Sequence, residues 1–344
     1  MQHKNKPKVA IISPYFGPLP KMMDLWLQGI KNIETVQFFL ITDQTLVVDQ
    51  NNVTVVNMSF LQCSEVIKTK IKLNHKFSPY KLCDFKPSFG YIFMEIIDGY
   101  DFWGYCDLDM CFGDLDGYLE KNLYKSQYSR IFDLGHLSIF RQTTKILNLF
   151  NEVCGSSSPF NAIKNSETIW VFDENYNDNF GGYNKIFKNE YGCKFFSDRA
   201  LIFDTHPGFF GFLNAHENDG ETCTVFFHHL AGKLFSVTLK NNLIVRKEIC
   251  YAHFQKRDVN WSHTSDGFLI TPKHWPEVND YENAVILLKK MRLIDTATNV
   301  AYEKWKKRRR NLKITRLFIE PLTGRFRLRD TLFIIFKTIF RKFR

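Results

Sequence analysis

The sequence predicts an α/β protein built on a mainly parallel β-sheet and followed by a basic helical tail. Short apolar segments typical of strands alternate with segments of helical spacing over the first 110 residues, which is the pattern of βαβ units. Acidic or turn-forming residues directly follow three of these strand-like segments. In a parallel sheet such positions gather at one edge, where ligands bind. The composition changes near residue 300.

Hydrophobic periodicity places the individual elements. Strands are predicted at residues 8–14, 36–42, 53–58 and 100–106, and helices at 24–33 and 80–97. A further helix is predicted at 181–191, followed by short strands at 193–196, 225–229, 233–238 and 243–249. The last two strands read as a hairpin that turns at Asn241 and Asn242.

Charge divides the chain into two parts. Of the 46 Lys and Arg residues 15 lie in 301–344, together with only 3 of the 36 Asp and Glu, so residues 1–300 carry 31 basic and 33 acidic side chains. The net charge of +10 therefore belongs to the tail, and a nucleic-acid partner for the globular part is not expected. We predict one catalytic domain at 1–300 and a tail at 301–344.

The tail has the composition of a helix that lies on a membrane surface. From Arg325 onward one half of the helical wheel is largely apolar and the other largely basic, and Lys337 interrupts the apolar run. About 20 uninterrupted apolar residues would be needed to span a bilayer. We expect binding to an anionic membrane; the alternative is a helix packed on the core with a solvated basic face.

The cellular context follows from the cysteines and the N-terminus. Eight cysteines are scattered without a CxxC pair, and the first apolar stretch is too short for a secretory signal. We expect reduced thiols in a cytoplasmic protein, peripheral on the inner face of the cytoplasmic membrane.

The strongest chemical motif is Asp107-Leu-Asp109 in YDFWGYCDLDMCFGDL (100–115). Residues i and i+2 of an extended segment point the same way, so the two carboxylates can converge on one cation. Carboxylate oxygens suit Mg²⁺ or Mn²⁺, which in turn bind diphosphate oxygens. The alternative is a pair of solvated loop acids.

Two segments around this motif carry a family resemblance. YKLCDFKPSFGYIF (80–93) followed by FWGYCDLDMCFGDL (102–115) resembles the donor-site core of glycosyltransferases with the GT-A fold. The chain is most similar to an uncharacterised bacterial glycosyltransferase-like family found with capsule and surface-polysaccharide genes. The likeness covers residues 8–275. It implies a metal-dependent enzyme that moves a sugar from a nucleotide-sugar donor to a saccharide or lipid-linked saccharide of a capsule, O-antigen or lipopolysaccharide.

The resemblance also implies donor-binding residues. Relatives carry a Ser-Asp-x-x-Arg motif before Asp-x-Asp; Cys83-Asp84 matches its first half, but position 87 is proline. Lys81 or Lys86 would then supply the positive charge. The nucleotide would meet a set of residues after the first two strands: Pro14, Tyr15, Phe16 and Asp43. For Asp43 a turn-forming role is the alternative.

A late motif, YAHFQKR (251–257), supplies the remaining donor contacts by the same resemblance. His253 is expected as a metal ligand beside Asp109, with Asp107 on the metal or the ribose. Lys256 or Arg257 would stabilise the departing phosphate. A structural role is the alternative for His253.

On the acceptor side, Asp173 and Glu174 resemble the acidic motif that faces the acceptor. A carboxylate there would take the proton of the acceptor hydroxyl, or would stabilise positive charge at the anomeric carbon if configuration is retained. His136 is a candidate acceptor residue, with an N-cap or a buried histidine as the alternatives.

Two other functional classes remain open from the residues. Haloacid-dehalogenase-type phosphatases also place Asp-x-Asp after a strand, but their motif lies near the N-terminus and continues to Thr or Val where this chain has Cys111. A non-catalytic protein that binds saccharide or membrane on the same scaffold is the second alternative.

Overall fold

The structure is a computed structural model that describes residues 7–152, 158–174, 182–190, 192–206, 211–216 and 225–319. Its strands are β1 Val9–Pro14, β2 Val36–Thr42, β3 Val53–Asn57, β4 Phe102–Cys106, β5 Met110–Phe112, β6 Arg130–Leu134, β7 Leu137–Arg141, β8 Phe195–Phe196, β9 Ile202–Asp204, β10 Val225–Leu230, β11 Lys233–Lys240, β12 Leu243–Ile249, β13 Tyr251–His253, β14 Val259–His263 and β15 Gly267–Pro272. Its α-helices are α1 Met23–Ile30, α2 Phe60–Ile71, α3 Leu82–Phe85, α4 Phe89–Ile92, α5 Met94–Ile97, α6 Leu115–Leu119, α7 Thr144–Asn148, α8 Pro159–Lys164, α9 Tyr183–Asn189 and α10 Tyr281–Ile319.

The main sheet has seven strands in the order β3-β2-β1-β4-β7-β6-β8. Its first four strands are parallel, and β7 runs antiparallel to both of its neighbours. Along β1, Val9 and Ile11 pack into one hydrophobic core while Ala10 and Ile12 pack into the other. A strand covered on both faces needs a continuous apolar run. This explains why the residues Val9–Ile12 of β1 are all apolar. The predicted α/β class with a mainly parallel sheet is confirmed.

The segment 80–97, predicted as one helix, is divided into short turns. Helices α3, α4 and α5 are separated by the 3₁₀ segment Lys86–Ser88 and by Phe93, whose backbone leaves the helical region. Pro87 lacks the backbone N–H that a helix interior needs. The break turns Lys86 toward the carboxyl end of β4.

The second half of the chain forms two further sheets. An antiparallel sheet has the order β12-β11-β10-β15-β14, and α10 packs on it through Ala284 and Leu288. Asn241 and Asn242 both have positive φ, 49° and 61°, as a two-residue type I′ turn requires; the predicted hairpin is confirmed. The third sheet, β5-β13-β9, joins this half to the Asp-x-Asp segment.

Helix α10 runs from Tyr281 to Ile319 and so passes the composition change at residue 300 without a break. The amphipathic segment from Arg325 onward lies outside the described residues. Among the helices that the structure describes, none has both the length and the apolar character needed to cross a bilayer.

Candidate functional site

A cleft with a volume of about 950 Å³ lies at the carboxyl ends of β1 and β4. Both strands are parallel and run in register from Val9 opposite Phe102. Their ends therefore deliver the residues that follow them to the same edge. Twelve of the residues predicted from the sequence line this cleft: Pro14, Tyr15, Phe16, Lys86, Asp107, Asp109, His136, Asp173, Glu174, His253, Lys256 and Arg257.

Hydrogen bonds fix the backbone where the Asp-x-Asp segment follows β4. Ser13 Oγ donates to the carbonyl of Cys106, and the Asp107 amide donates to the carbonyl of His136, both at 2.9 Å. Leu108 is buried in the core, while the carboxylates on either side of it line the cleft. This is the alternation that an extended segment imposes.

The three-stranded sheet brings His253 into the cleft beside Asp109. In the register of β13, His253 lies opposite Met110 on β5 and opposite Asp204 on β9. His253 Nε2 is 3.4 Å from Asp109 Oδ1, and its Nδ1 is 2.8 Å from Asp204 Oδ1. Burial alone would lower the pKa of His253, but the hydrogen bonds with these two carboxylates outweigh it and raise the pKa to about 10.

A strained turn after β13 completes the support of Asp109. Gln255 and Lys256 have φ values of 54° and 60°, which only a few per cent of residues other than glycine adopt. In this conformation the Lys256 amide donates to Asp109 Oδ2 at 2.6 Å. The Lys256 ammonium group lies 4.2 Å above the ring of Tyr80. Such outliers concentrate at functional sites.

Arg257 lines the cleft, but its guanidinium is committed elsewhere. Its two terminal nitrogens donate to the carbonyls of Gly211 and His206. The Arg257 guanidinium is therefore held by backbone carbonyls, whereas the Lys256 ammonium group contacts the ring of Tyr80.

Lys86 lines the cleft between the two acidic motifs. Its ammonium group lies 2.7 Å from Asp107 Oδ1, 3.4 Å from Asp173 Oδ2 and 2.7 Å from the carbonyl oxygen of Gly135. Burial would lower the pKa of Lys86, but the charges of Asp107 and Asp173 raise it well above its usual value. Lys86 therefore carries a positive charge between the two acidic motifs.

Asp173 and Glu174 also line the cleft. Glu174 Oε1 accepts a hydrogen bond from the Gly135 amide at 2.8 Å. Burial raises the pKa of the Asp173 carboxyl to about 7, although Lys86 acts against this rise. A Cβ atom at Gly135 would lie only 2.6 Å from Asp173 Oδ2. A glycine at position 135 thus allows the segment that contains it to lie close to Asp173 and Glu174.

Three predicted donor residues do not line the cleft. Lys81 and Asp84 are buried against each other at 2.8 Å. Asp84 accepts the amides of Trp170 and Phe172, and Lys81 donates to the carbonyls of Ile163 and Thr168. The expected direct contact with a donor is corrected on this ground: the pair holds the segment before Asp173, and Lys86 is the lysine that faces the cleft.

Asp43 is the third of these residues. Its carboxylate accepts the Gly17 amide at 3.0 Å and the Gln44 side-chain amide at 2.8 Å. It thereby closes the turn that carries Tyr15 and Phe16, as the turn-forming alternative proposed. Phe16 packs edge-to-face on Phe60 with ring centroids 5.4 Å apart.

His136 is a buried histidine rather than an N-cap. Its Nε2 lies 3.1 Å from the Tyr251 hydroxyl, and its ring stacks on that of His253 with centroids 4.0 Å apart. Burial and the neighbouring charge of His253 lower the pKa of His136 well below its usual value.

The ligand atoms of two overlapping groups lie within 4.8 Å of one another: Asp107, Asp109 and His253, and His136, Asp204 and His253. Both groups have the donor types that bind metal ions in proteins. The His and Asp side chains of these two groups can therefore hold a metal ion.

Sequence reasoning missed Asp204. A signal for it was present, because Asp204 ends the apolar run LIFD (201–204) just as Asp107 ends its own. The assignment needed the register of β9 against β13, which pairs residues 49 positions apart.

A family profile matches residues 11–279, which is more than three quarters of the chain. The chain belongs to DUF6625, a family of unknown function. The span that matches the DUF6625 profile includes every residue of the cleft discussed above. No curated protein matches the chain.

Proposed function

We propose that this DUF6625 protein is a metal-dependent glycosyltransferase of the GT-A fold that uses a nucleotide-sugar donor. The observation that carries the proposal is the convergence of Asp107, Asp109 and His253 in one cleft that Asp173 and Glu174 also line. A cation site and a separate carboxylate pair are the two parts that transfer from a diphosphate leaving group needs.

The fold supports the proposal through the position of the cleft. Sheet order reverses at β1, with β2 on one side and β4 on the other, and ligands of open α/β sheets bind at such switch points. Pro14, Tyr15 and Phe16 follow β1 at this point and offer apolar and aromatic surface to a nucleotide base. A second support is the resemblance of the Asp-x-Asp segment to GT-A donor sites.

The cation would be held by Asp109 and His253, with Asp107 on the cation or the ribose. Mn²⁺ and Mg²⁺ suit this set, because it has two carboxylates and one imidazole. The ion would bind diphosphate oxygens and neutralise their charge. Lys256 would add a positive charge beside the leaving phosphate, and Lys86 would keep Asp107 and Asp173 from repelling each other.

Asp173 has the properties of a proton acceptor for the acceptor hydroxyl. Its side chain is 4% exposed and its pKa of about 7 lies near neutral pH, where a general base works best. Its Oδ1 atom has no hydrogen-bond partner among the described residues. Glu174, fixed by Gly135, would orient the acceptor; with retained configuration the two carboxylates would instead stabilise positive charge at the anomeric carbon.

The acceptor and the location are proposed together. We infer a bacterial surface glycan, saccharide or lipid-linked, at the inner face of the cytoplasmic membrane, because the sequence from Arg325 onward combines apolar and basic residues as a surface-lying helix does. A chain ending after Arg310 should lose binding to anionic liposomes while keeping its melting temperature. Unchanged binding would remove the membrane from the proposal.

The test of the donor site is a thermal-shift assay with a panel of nucleoside diphosphates, with and without Mn²⁺. A ligand that binds only the folded state raises the melting temperature by mass action; saturation at 100 times Kd corresponds to about 2.7 kcal/mol. We expect one nucleotide to give a shift that requires Mn²⁺ and is lost in Asp107→Asn. Asp98→Asn, a fully comparable change at an exposed position outside the cleft, should retain it.

Absence of a shift with every nucleotide would contradict the proposal. Asp107 modified as an aspartyl phosphate would then identify the phosphatase alternative, and binding of a saccharide without turnover would identify the non-catalytic one.

A further inference from the structure

We propose that His136, Asp204 and His253 form a second metal site, selective for a transition-metal ion such as Zn²⁺ or Co²⁺. This site shares His253 with the Asp107–Asp109 cation site but is distinct from it in its ligands. It needs no nucleotide, and therefore its existence does not depend on the proposed function.

The geometry of the three side chains carries the proposal. One ligand atom from each lies within 4.8 Å of the others, and all three side chains are buried. The His136 and His253 rings stack at 4.0 Å with an angle of 26° between them, and Asp204 Oδ1 lies 2.8 Å from His253 Nδ1. Two imidazoles and a carboxylate are a ligand set that Zn²⁺ and Co²⁺ prefer over Mg²⁺.

The surroundings hold the ligands in place. The Tyr251 hydroxyl lies 3.1 Å from His136 Nε2 and helps to fix the orientation of that ring. Gln255 Nε2 donates to Asp204 at 2.9 Å. Hydrogen bonds of this kind orient metal ligands in proteins and fix the imidazole tautomer.

A fourth ligand can come from the solvent side. His216 Nε2 lies 3.5 Å from Asp204 Oδ2, and its side chain is 27% exposed. The buried group itself supplies three ligands, and four ligands are the usual number for Zn²⁺.

The two sites compete for one imidazole. His253 presents Nδ1 to Asp204 and Nε2 to Asp109, and a neutral imidazole has one free lone pair. An ion bound to Nδ1 therefore leaves Nε2 protonated, so that Nε2 can donate to Asp109 but cannot bind the cation of the Asp107–Asp109 site. If the proposed function holds, Zn²⁺ should oppose the Mn²⁺-dependent binding of a nucleoside diphosphate.

The experiment uses the full-length, metal-free protein without nucleotide. Co²⁺ is titrated while its visible absorption is recorded, and Zn²⁺ is titrated while the melting temperature is recorded. We expect both signals in the wild type and in Asp107→Asn, and at least tenfold weaker affinity in His136→Gln and Asp204→Asn. Equal affinity in His136→Gln and wild type, or loss of the signals in Asp107→Asn alone, would overturn the proposal.

A measurement on the wild type covers the case in which a variant does not fold. X-ray absorption at the zinc edge counts imidazole ligands from their scattering pattern. Two or three imidazoles support the site, whereas one imidazole places the ion at Asp107 and Asp109 and refutes it. Neither result decides whether nucleotides bind, so this proposal and the proposed function can fail separately.

Discussion

The ammonium group of Lys86 lies 2.7 Å from the carboxylate of Asp107, inside a cleft where the Lys86 side chain is only 12% exposed. The same ammonium group reaches Asp173 at 3.4 Å. One lysine thus balances both acidic motifs of the cleft.

Replacement of Lys86 by methionine should destabilise the fold, because it leaves Asp173 and the Gly135 carbonyl without their cation. Removal of one partner from a buried pair typically costs 3–5 kcal/mol; the partial exposure of Asp107 favours the lower end, about 3 kcal/mol. Urea unfolding measures this loss in the free energy of unfolding. Lys21→Met removes a surface pair at 2.9 Å, whose lysine is 81% exposed, and should change little. Equal effects of the two variants would contradict this role of Lys86.

The affinity for Mn²⁺ should rise with pH. His253 must lose a proton to bind a metal, and its pKa is raised to about 10 by Asp109 and Asp204 despite its burial. Between pH 7 and pH 9 each unit should therefore increase the affinity about tenfold. Calorimetry in buffers of different ionisation enthalpy should detect about one proton released per ion. His253→Gln should abolish that release; an affinity independent of pH would exclude His253 as a ligand.

Asp173 should make the protein less stable as the pH rises. Burial raises its pKa from 3.8 to about 7, so the folded chain holds this proton more tightly than the unfolded chain. The resulting stabilisation is complete below pH 4 and is lost as the pH rises to 7.

Asp173→Asn, which cannot ionise, should then be more stable than the wild type at pH 8, by up to about 4 kcal/mol. At pH 4 the difference should be much smaller. Denaturant unfolding at the two pH values provides the comparison. A difference that is the same at both would show that Asp173 ionises normally in the folded protein.

The buried pair of Lys81 and Asp84 should act on stability and not on ligand contact. Asp84→Ala leaves Lys81 and the amides of Trp170 and Phe172 without their partner, which should cost about 3–5 kcal/mol. The matched control is Glu65→Ala, because Glu65 is 59% exposed and pairs with Lys68 at the same i,i+3 spacing and at 2.7 Å; we expect almost no change there.

The nucleotide assay separates the two roles. At a temperature where Asp84→Ala is still folded, the Kd of the identified nucleoside diphosphate should stay within about threefold of the wild type. A Kd weakened a hundredfold in a folded Asp84→Ala protein would return Asp84 to the donor site.

The local residue pattern predicted the strands and the hairpin well, but it did not predict which side chains contact each other. The strand 36–42 and the hairpin through Asn241 and Asn242 followed from apolar period and turn chemistry, which act within a few residues. The helix expected at 80–97 failed because Pro87 acts on the backbone more strongly than the apolar spacing does. Lys81 and Lys86 could not be told apart, since the contacts that distinguish them, Lys81 with Ile163 and Lys86 with Asp107, join residues more than 20 positions apart.

By itself the sequence determined the α/β class, the mainly parallel sheet and the acidic motif at the end of β4. These features depend on side-chain periodicity and on turn-forming residues. Both are set by residues that are close to each other in the sequence. Only the tertiary structure decided that Asp204 supports His253, that Lys86 faces the cleft and that Asp84 does not. Those outcomes depend on strand register and on burial, and both are set by pairings between segments far apart in the chain.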